Sequence, residues 1–172
     1  MIFFTLRVIN QIVLGTFSKP VVTPKKTVDI VYRCWPVDID AFLHMNNSRY
    51  LSCAELSRWR CLAPTSFFSR VTSKEGILFL AVENHIQYIR PIQPFQKFVI
   101  STSCSVDEKE DKWIFYRHSF QQHPDDVKEG FPAKEFAVVD LKAVVKEANG
   151  KTIKPSVLME ESNFLKDWMQ KV

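Results

Sequence analysis

The sequence predicts a single α+β domain in which one long central helix is wrapped by a curved antiparallel sheet of five or six strands, with further helices at both ends. Apolar and polar residues alternate in residues 27–34 and 98–106, which is typical of half-buried strands. One long helical stretch without glycine or proline follows the first strand. A single helix cannot cover both faces of a doubly wound parallel sheet, so that architecture is excluded. The length of 172 residues suits one domain.

The first strand and the central helix are the most clearly marked elements. Alternating side chains predict a strand over residues 27–34. The helix is expected to begin at Asn46 or Asn47, because a short side-chain oxygen there accepts a free backbone N–H. It runs to about Leu62, shortly before Pro64.

Polar turns separate the strands of the rest of the sheet. Asn149-Gly150 is typical of a tight hairpin, because both residues tolerate positive φ. A terminal helix is expected around Phe164 and Trp168. Four further strands and a short edge strand are predicted over residues 77–89, 98–106, 113–121, 135–145 and 151–154.

The net charge of +4 is concentrated at the N-terminus. Residues 1–28 carry four basic side chains and no acid, so the remainder is balanced, with 19 basic and 19 acidic residues. A nucleic-acid-binding surface needs a basic stripe on the folded domain. The charge pattern therefore argues against nucleic acid as a partner.

Residues 1–19 form an apolar and basic leader, and residues 20–26 form a linker. The leader is too short and too interrupted to span a membrane, which takes about 20 apolar residues. We expect an interfacial membrane anchor or a targeting helix, giving a mitochondrial or otherwise membrane-associated protein. The alternative is a helix that docks on the domain. As a helix, the leader gathers apolar side chains on one face at Ile2, Leu6, Ile9, Val13 and Phe17.

The four cysteines form neither a CxxC pair nor a zinc-spaced cluster with histidine. They are typical of small buried side chains in an intracellular, reducing compartment. His85, His118 and His123 are scattered singly, so no metal site is predicted. No glycine-rich phosphate loop is present, so no cofactor is expected.

The segment before the central helix concentrates the groups that could do chemistry, namely Asp38, Asp40, His44, Asn46 and Asn47. The N–H groups at a helix N-terminus can hold an oxyanion, and a carboxylate beside them can attack a carbonyl or activate water. The same residue types also cap helices and tie down loops. The residues alone leave the catalytic and the structural interpretation equally open.

A resemblance favours the catalytic interpretation. DIDAFLHMNNSRYL resembles the motif D-x-D-x-x-x-H-x-N-N-x-x-Y-L of the hotdog-fold acyl-CoA thioesterases, the 4-hydroxybenzoyl-CoA thioesterase superfamily. YIRPIQPFQKF looks like the family's crossing between its second and third strands, and DKWIFYRHSFQQ looks like its central strand. The likeness is greatest to the thioesterase superfamily member six branch. It implies one hotdog domain over residues 27–172.

The resemblance also implies a role for each matching residue. Asp40 matches the catalytic aspartate, which acts as nucleophile or as the base for water, and His44 matches a histidine that binds the thioester oxygen. Backbone N–H groups of Met45, Asn46 and Asn47 are candidates for the oxyanion site. The implied reaction is hydrolysis of a fatty or aromatic acyl-CoA thioester to the free acid and coenzyme A.

Two positions depart from the family pattern. Phe42 replaces an asparagine of the plant acyl-carrier-protein thioesterases, and Leu43 replaces a glycine of many members. These bulky side chains leave an alternative open, a non-catalytic acyl-binding, lipid-binding or scaffold protein at a membrane.

The resemblance further implies the pocket and the partners. The substrate is an acyl-CoA or an acyl-carrier thioester, and the chain forms a homodimer or a dimer-based oligomer, which would protect an unpaired sheet edge. The acyl pocket is expected at Phe42, Leu43, Tyr50, Phe67 and Phe68.

Overall fold

The computed structural model describes residues 2–18, 20–71, 76–107 and 109–171. Short 3-10 turns lie at Pro36–Asp38 and Pro124–Asp126. The other elements follow in the order α1 (Ile2–Phe17), β1 (Thr27–Arg33), α2 (Asn47–Leu62), α3 (Ser66–Val71), β2 (Ile77–Tyr88), β3 (Lys97–Val106), β4 (Ile114–Gln122), β5 (Glu135–Glu147), β6 (Thr152–Ile153), α4 (Pro155–Glu160), α5 (Asn163–Trp168) and β7 (Met169–Lys171).

The strands form one sheet in the order β1-β3-β4-β5-β2, in which all neighbours are antiparallel. β2 and β1 therefore lie at the two edges. The short β6 extends β5, and β7 pairs in parallel with β3. The predicted α+β architecture is confirmed, with seven strands rather than five or six because the very short β7 joins the predicted strands.

The C-terminal region is more elaborate than predicted. α5 confirms the expected terminal helix, whereas α4 and β7 were not predicted. Each of these elements spans six residues or fewer, which is shorter than the window over which apolar periodicity can be recognised.

The central helix α2 begins and ends as expected. Asn46 is its N-cap, and the Asn46 side-chain oxygen accepts a hydrogen bond from the Ser48 N–H at 2.9 Å. Small side chains allow the sheet to approach this helix closely. The buried residues of α2 are Tyr50, Cys53, Ala54, Leu56, Ser57, Cys61 and Leu62.

A buried polar chain joins α2 to β3 and β4. Arg58 Nη1 lies 3.1 Å from His118 Nε2, and because arginine only donates, this nitrogen accepts. His118 Nδ1 then donates to Thr102 Oγ1 at 3.0 Å, and Thr102 Oγ1 lies 2.8 Å from Ser57 Oγ. Burial, together with the neighbouring Arg58 charge, holds the pKa of His118 well below its ordinary value. His118 is therefore a neutral structural histidine inside the core.

Helix α1 packs against α2 through a glycine. A Cβ at Gly15 would lie 2.6 Å from the Arg60 carbonyl oxygen and 2.8 Å from Ala63 Cβ. Only glycine permits this approach, because backbone atoms on the facing helix cannot move aside cheaply. The leader helix thus docks on the domain, which was the alternative expectation.

Docking leaves one face of α1 in solvent. Leu6, Ile9, Val13 and Phe17 are 57%, 51%, 45% and 85% exposed, and we call these four residues the apolar stripe. They belong to the apolar face that the sequence predicted. No helix in the described part of the chain is long and apolar enough to cross a membrane.

Candidate active site

The loop between β1 and α2 is a closed turn held by backbone hydrogen bonds. Ile39 and Met45 face each other in an antiparallel bridge. The Asp40 N–H donates to the His44 carbonyl at 3.1 Å, and the Asn46 N–H donates to the Asp38 carbonyl at 2.8 Å. The turn fixes Asp40 and His44 beside each other, directly before the N-terminus of α2.

Asp40 is partly exposed and has one oxygen engaged. Its Oδ1 accepts the Phe42 N–H at 2.9 Å, which is a local turn within the loop. Its Oδ2 lies 3.7 Å from His44 Nδ1. The Asp40 side chain is 19% exposed, so the carboxylate is positioned by the loop yet reachable from outside.

The groups around His44 bear on which of its two ring nitrogens carries the proton. Nδ1 lies 3.2 Å from the Met45 carbonyl oxygen and 3.7 Å from Asp40 Oδ2, and both of these oxygens are acceptors. These two acceptors favour the tautomer that carries its proton on Nδ1. A neutral His44 offers Nε2 as an acceptor, and only the protonated ring can donate from Nε2 to a thioester oxygen.

The backbone donors near the helix N-terminus are not equally available. The Met45 N–H donates to the Ile92 carbonyl at 2.9 Å, and the Asn46 N–H is bound to the Asp38 carbonyl. Ser48 N–H is bound to the Asn46 side chain. Among the three predicted oxyanion donors, the Asn47 N–H is the one without a partner in the described part of the chain.

Asp38 holds the base of the loop, a role that the sequence did not reveal. Its carboxylate is fully buried, and Oδ1 accepts from Arg7 Nη1 of α1 at 2.6 Å. Oδ2 accepts the Trp35 N–H at 3.1 Å. The signal was present as a single arginine in the apolar leader, but its partner is 31 residues away.

Phe42 and Leu43 form the exposed tip of the loop. They are 81% and 71% exposed, and the Phe42 ring stacks on His44 with 6.1 Å between ring centroids. Leu43 has φ +58°, the left-handed region in which a β-carbon is disfavoured. These two side chains are exposed to solvent, so they do not fill the space beside Asp40.

The other three predicted pocket residues are spread along the molecule. Tyr50 is buried in one half of the core, where its ring meets Tyr88 edge-on with a centroid distance of 5.2 Å. Phe67 is buried in the other half, against Phe79. Phe68 packs against Trp59. The described chain does not bring these residues together, and the acyl pocket stays a prediction.

In the described part of the chain, neither a cysteine thiol nor a cluster of metal ligands is suited to act as the reacting group in place of Asp40. All four cysteines are free and buried. Burial raises the pKa of Cys34 to about 11 and that of Cys53 to about 12, so these thiols are poor nucleophiles at neutral pH. Across the described ranges no three His, Cys, Asp or Glu side chains cluster as metal ligands would.

Comparison with known proteins identifies the relatives of this arrangement. The model of the thioesterase-like superfamily matches residues 34–160, which include the whole candidate site. No curated protein sequence gives a significant match. The member six branch is not distinguished by these comparisons and stays a prediction.

Solved structures show the same fold. A probable thioesterase from Escherichia coli is 20% identical with a TM-score of 0.64, over 81% of this chain and 97% of that chain. A gentisyl-coenzyme A thioesterase is 24% identical with a TM-score of 0.56, over 75% and 94%. A 1,4-dihydroxy-2-naphthoyl-CoA thioesterase from Synechocystis is 12% identical with a TM-score of 0.56, over 74% and 88%. The predicted hotdog fold is confirmed.

Proposed function

Because this chain belongs to the thioesterase-like superfamily, we propose that it hydrolyses a fatty or aromatic acyl-CoA thioester to the free acid and coenzyme A. The observation that carries the proposal is the reachable Asp40 carboxylate beside His44, held directly before the N-terminus of α2. Positive partial charge and a free N–H at that helix end suit the oxyanion formed during acyl transfer.

In the proposed mechanism, Asp40 takes a proton from water while the water oxygen attacks the thioester carbonyl. The resulting oxyanion accepts from the Asn47 N–H. The carbon–sulfur bond then breaks, and coenzyme A leaves as a thiolate that recovers the proton from Asp40. In the covalent variant the Asp40 carboxylate itself attacks the carbonyl, and the carbon–sulfur bond breaks to release coenzyme A as a thiolate. Water then hydrolyses the acyl anhydride to the free acid and restores Asp40, and the thiolate takes up the proton released in this step.

The experiment that tests the proposed reaction uses the full chain with a panel of short, long and aromatic acyl-CoA and acyl-carrier thioesters. Coenzyme A release is followed by mass spectrometry. We expect turnover that is concentrated in one acyl class. A folded protein that hydrolyses no member of the panel would refute the enzyme and favour the non-catalytic alternative.

We also propose that two copies pair through β2. This strand lies at an edge of the sheet, and most of its side chains are exposed to solvent although many of them are apolar. Exposed apolar residues on or beside it are Leu78, Leu80, Val82, Tyr88 and Ile89. Tyr88 also donates to the Asn47 carbonyl at 3.2 Å, so the same edge reaches the start of α2 and the candidate site.

A charge on this edge is expected to separate the copies. The full chain should sediment at twice its mass of 20.0 kDa, and Val82→Lys should shift it towards the monomer. Val31→Lys on the opposite edge, where Val31 is 56% exposed, is the matched control. Dissociation by Val31→Lys with Val82→Lys unaffected would place the interface on β1 instead.

The apolar stripe supports membrane contact, either for the enzyme or for the alternative, a non-catalytic lipid-binding or scaffold protein. α1 is already docked through its other face, so the stripe has no partner within the described protomer. Lys25 and Lys26 follow it closely, and no acid lies in residues 1–28. An anionic lipid surface fits both the apolar stripe and this charge.

Membrane contact is tested by flotation of the full chain with phosphatidylserine-containing vesicles. Val13→Ser with Phe17→Ser should weaken binding by more than about 100-fold, because burying each side chain contributes about 1.5–3 kcal/mol. Phe131→Ser is the control, since Phe131 is 70% exposed outside α1. Equal binding by the stripe variant and the control would exclude the stripe as the contact.

A further inference from the structure

Strand β1 has a free edge along part of its length. In an antiparallel pair, residues alternate between exchanging both backbone hydrogen bonds with the neighbouring strand and turning those groups away from it. Thr27 turns its groups away from β3, because its N–H donates to Thr23 Oγ1 at 3.2 Å and its carbonyl accepts the Thr23 N–H at 2.7 Å. By this alternation, Val31 and Arg33 also direct their backbone groups away from β3.

The contacts of Cys34 agree with this alternation. Its N–H donates to the Gln96 carbonyl at 3.0 Å and its carbonyl accepts the Phe95 N–H at 2.8 Å, and both partners directly precede β3. Within the described ranges, no hydrogen bond reaches the backbone N–H or carbonyl of Val31 or Arg33. β1 pairs with β3 in unbroken register over its seven residues, so the open edge is regular. Unpaired groups on a regular edge are a template for a further strand.

A groove runs between this open edge and α1. One part of the groove, about 550 Å³, is lined by Val31 and Arg33 of β1 and by Asn10 and Gln11 of α1. The adjoining part, about 300 Å³, is again lined by Gln11 and Val31. The shared residues make the two parts continuous. The groove therefore follows the open edge and leaves room for an extended chain beside it.

The walls of the groove carry groups that suit a peptide strand. Trp35 and Val37 line its larger part and are 50% and 43% exposed, which leaves apolar surface for the side chains of a partner. The Arg33 guanidinium lies 5.9 Å from the centroid of the Trp35 ring, and tryptophan and arginine are enriched among the residues that dominate protein interfaces. On the opposite wall, the amides of Asn10 and Gln11 both donate and accept hydrogen bonds.

The groove is basic. Among its described lining residues, Arg7, Arg33 and Arg60 are basic and Asp29 is acidic. Arg7 is neutralised by Asp38 at 2.6 Å, whereas Arg33 donates to an uncharged carbonyl and keeps its charge unbalanced. Charge complementarity therefore favours a partner that carries carboxylates.

We propose that the open edge of β1 binds an extended acidic peptide of another protein, which adds to the sheet as a further strand. The peptide backbone exchanges hydrogen bonds with Val31 and Arg33. One of its apolar side chains packs on Trp35, and a carboxylate lies beside the Arg33 guanidinium. In such complexes the main-chain bonds provide affinity and alternate side chains provide specificity. The site is separate from the Asp40 loop, so the proposal stands whether or not the chain is an enzyme.

The test uses two libraries of acetylated and amidated peptides of about eight residues, in which apolar and polar positions alternate. The polar positions are glutamate or threonine in the acidic library and lysine or threonine in the basic one. Fluorescence polarisation measures their binding to the full chain. The tightest acidic peptide should bind at least about tenfold more tightly than any basic one. Methylating one alternate set of its backbone N–H groups should weaken binding by about tenfold or more, and methylating the other set should weaken it much less.

Two variants of the chain locate the binding edge. Val31→Pro removes a donor that faces away from β3, and proline is tolerated at such an edge, so peptide binding should be lost while the melting temperature stays nearly unchanged. Arg33→Glu should reverse the preference from acidic to basic peptides. Lys128→Glu is the matched control, because Lys128 is exposed on a loop outside the groove, and it should leave the preference unchanged.

Three results would overturn the proposal: no binding from either library, equal effects of the two methylation sets, or an unchanged preference in Arg33→Glu. The methylation comparison uses the unaltered chain, so it decides even if Val31→Pro does not fold. Sedimentation of a folded Val31→Pro chain adds a further check. A lower mass than that of the unaltered chain would assign this edge to a second copy and would also overturn the peptide.

Discussion

Replacing Asp40 with asparagine is expected to lower kcat for thioester hydrolysis by about 100- to 10,000-fold, the usual contribution of a positioned base. The amide has the same shape, and its oxygen can still accept the Phe42 N–H that the carboxylate accepts at 2.9 Å. The loop should therefore keep its conformation. What disappears is the negative charge that either removes the water proton or attacks the carbonyl.

The comparison is made as kcat and KM on the best substrate of the acyl panel, with circular dichroism and melting curves for both proteins. Asp140→Asn is a matched control, because Asp140 lies on the sheet and its carboxylate is 3.7 Å from Arg117 in an exposed pair. Unchanged kcat in the Asp40→Asn protein would remove Asp40 from the mechanism. A melting temperature lowered only in Asp40→Asn would reveal a structural role instead.

Replacing Arg7 with methionine is expected to reduce the free energy of unfolding by about 3–5 kcal/mol, because it leaves a buried carboxylate without its counter-charge. Asp38 is fully buried, and Arg7 Nη1 lies 2.6 Å from Asp38 Oδ1. The Asp38 carbonyl also accepts the Asn46 N–H at 2.8 Å. Activity should fall with stability, since Asp38 holds the base of the loop that carries Asp40.

Urea unfolding of the full chain measures this loss. Adding Asp38→Asn to Arg7→Met removes the unpaired charge, so the double variant should recover most of the stability. Arg117→Met breaks a pair whose side chains are 63% and 42% exposed and should cost less than about 1 kcal/mol. If Arg7→Met were as stable as the unaltered chain, the docked α1 would contribute nothing to the loop.

The sequence predicted the elements whose signals are local. Alternation located β1 and β3, and the turns that bound them located the other long strands, all within one or two residues. The Asn46 cap located the start of α2. Each of these signals depends only on residues that are close together in the sequence. By contrast, α4 and β7 are too short for a period to show, and their positions depend on contacts with distant strands, as Met169 opposite Cys104 illustrates.

The candidate site was predicted mainly from the resemblance of its motif to a known family, and less from the chemical properties of its residues. The motif brought Asp40 and His44 together in the sequence, and the closed turn brings them together in space. Which backbone donors are free could not be read from the motif, because the partner of the Met45 N–H is Ile92 on a distant connection. The pairing of Asp38 with Arg7 was hidden for the same reason.

The contact between Arg7 and Asp38 also sets an order of events during synthesis. A ribosome adds about 5–20 residues each second. Synthesis of the 31 residues that separate Arg7 from Asp38 therefore takes roughly 2–6 s. During this time α1 cannot form its contact with the domain. β1 acquires its partner strand later still, because Thr27 pairs with Ser103 of β3, which is synthesised afterwards. Throughout this interval the docking face of the first helix and its apolar stripe are exposed together, because the rest of the domain has not yet formed.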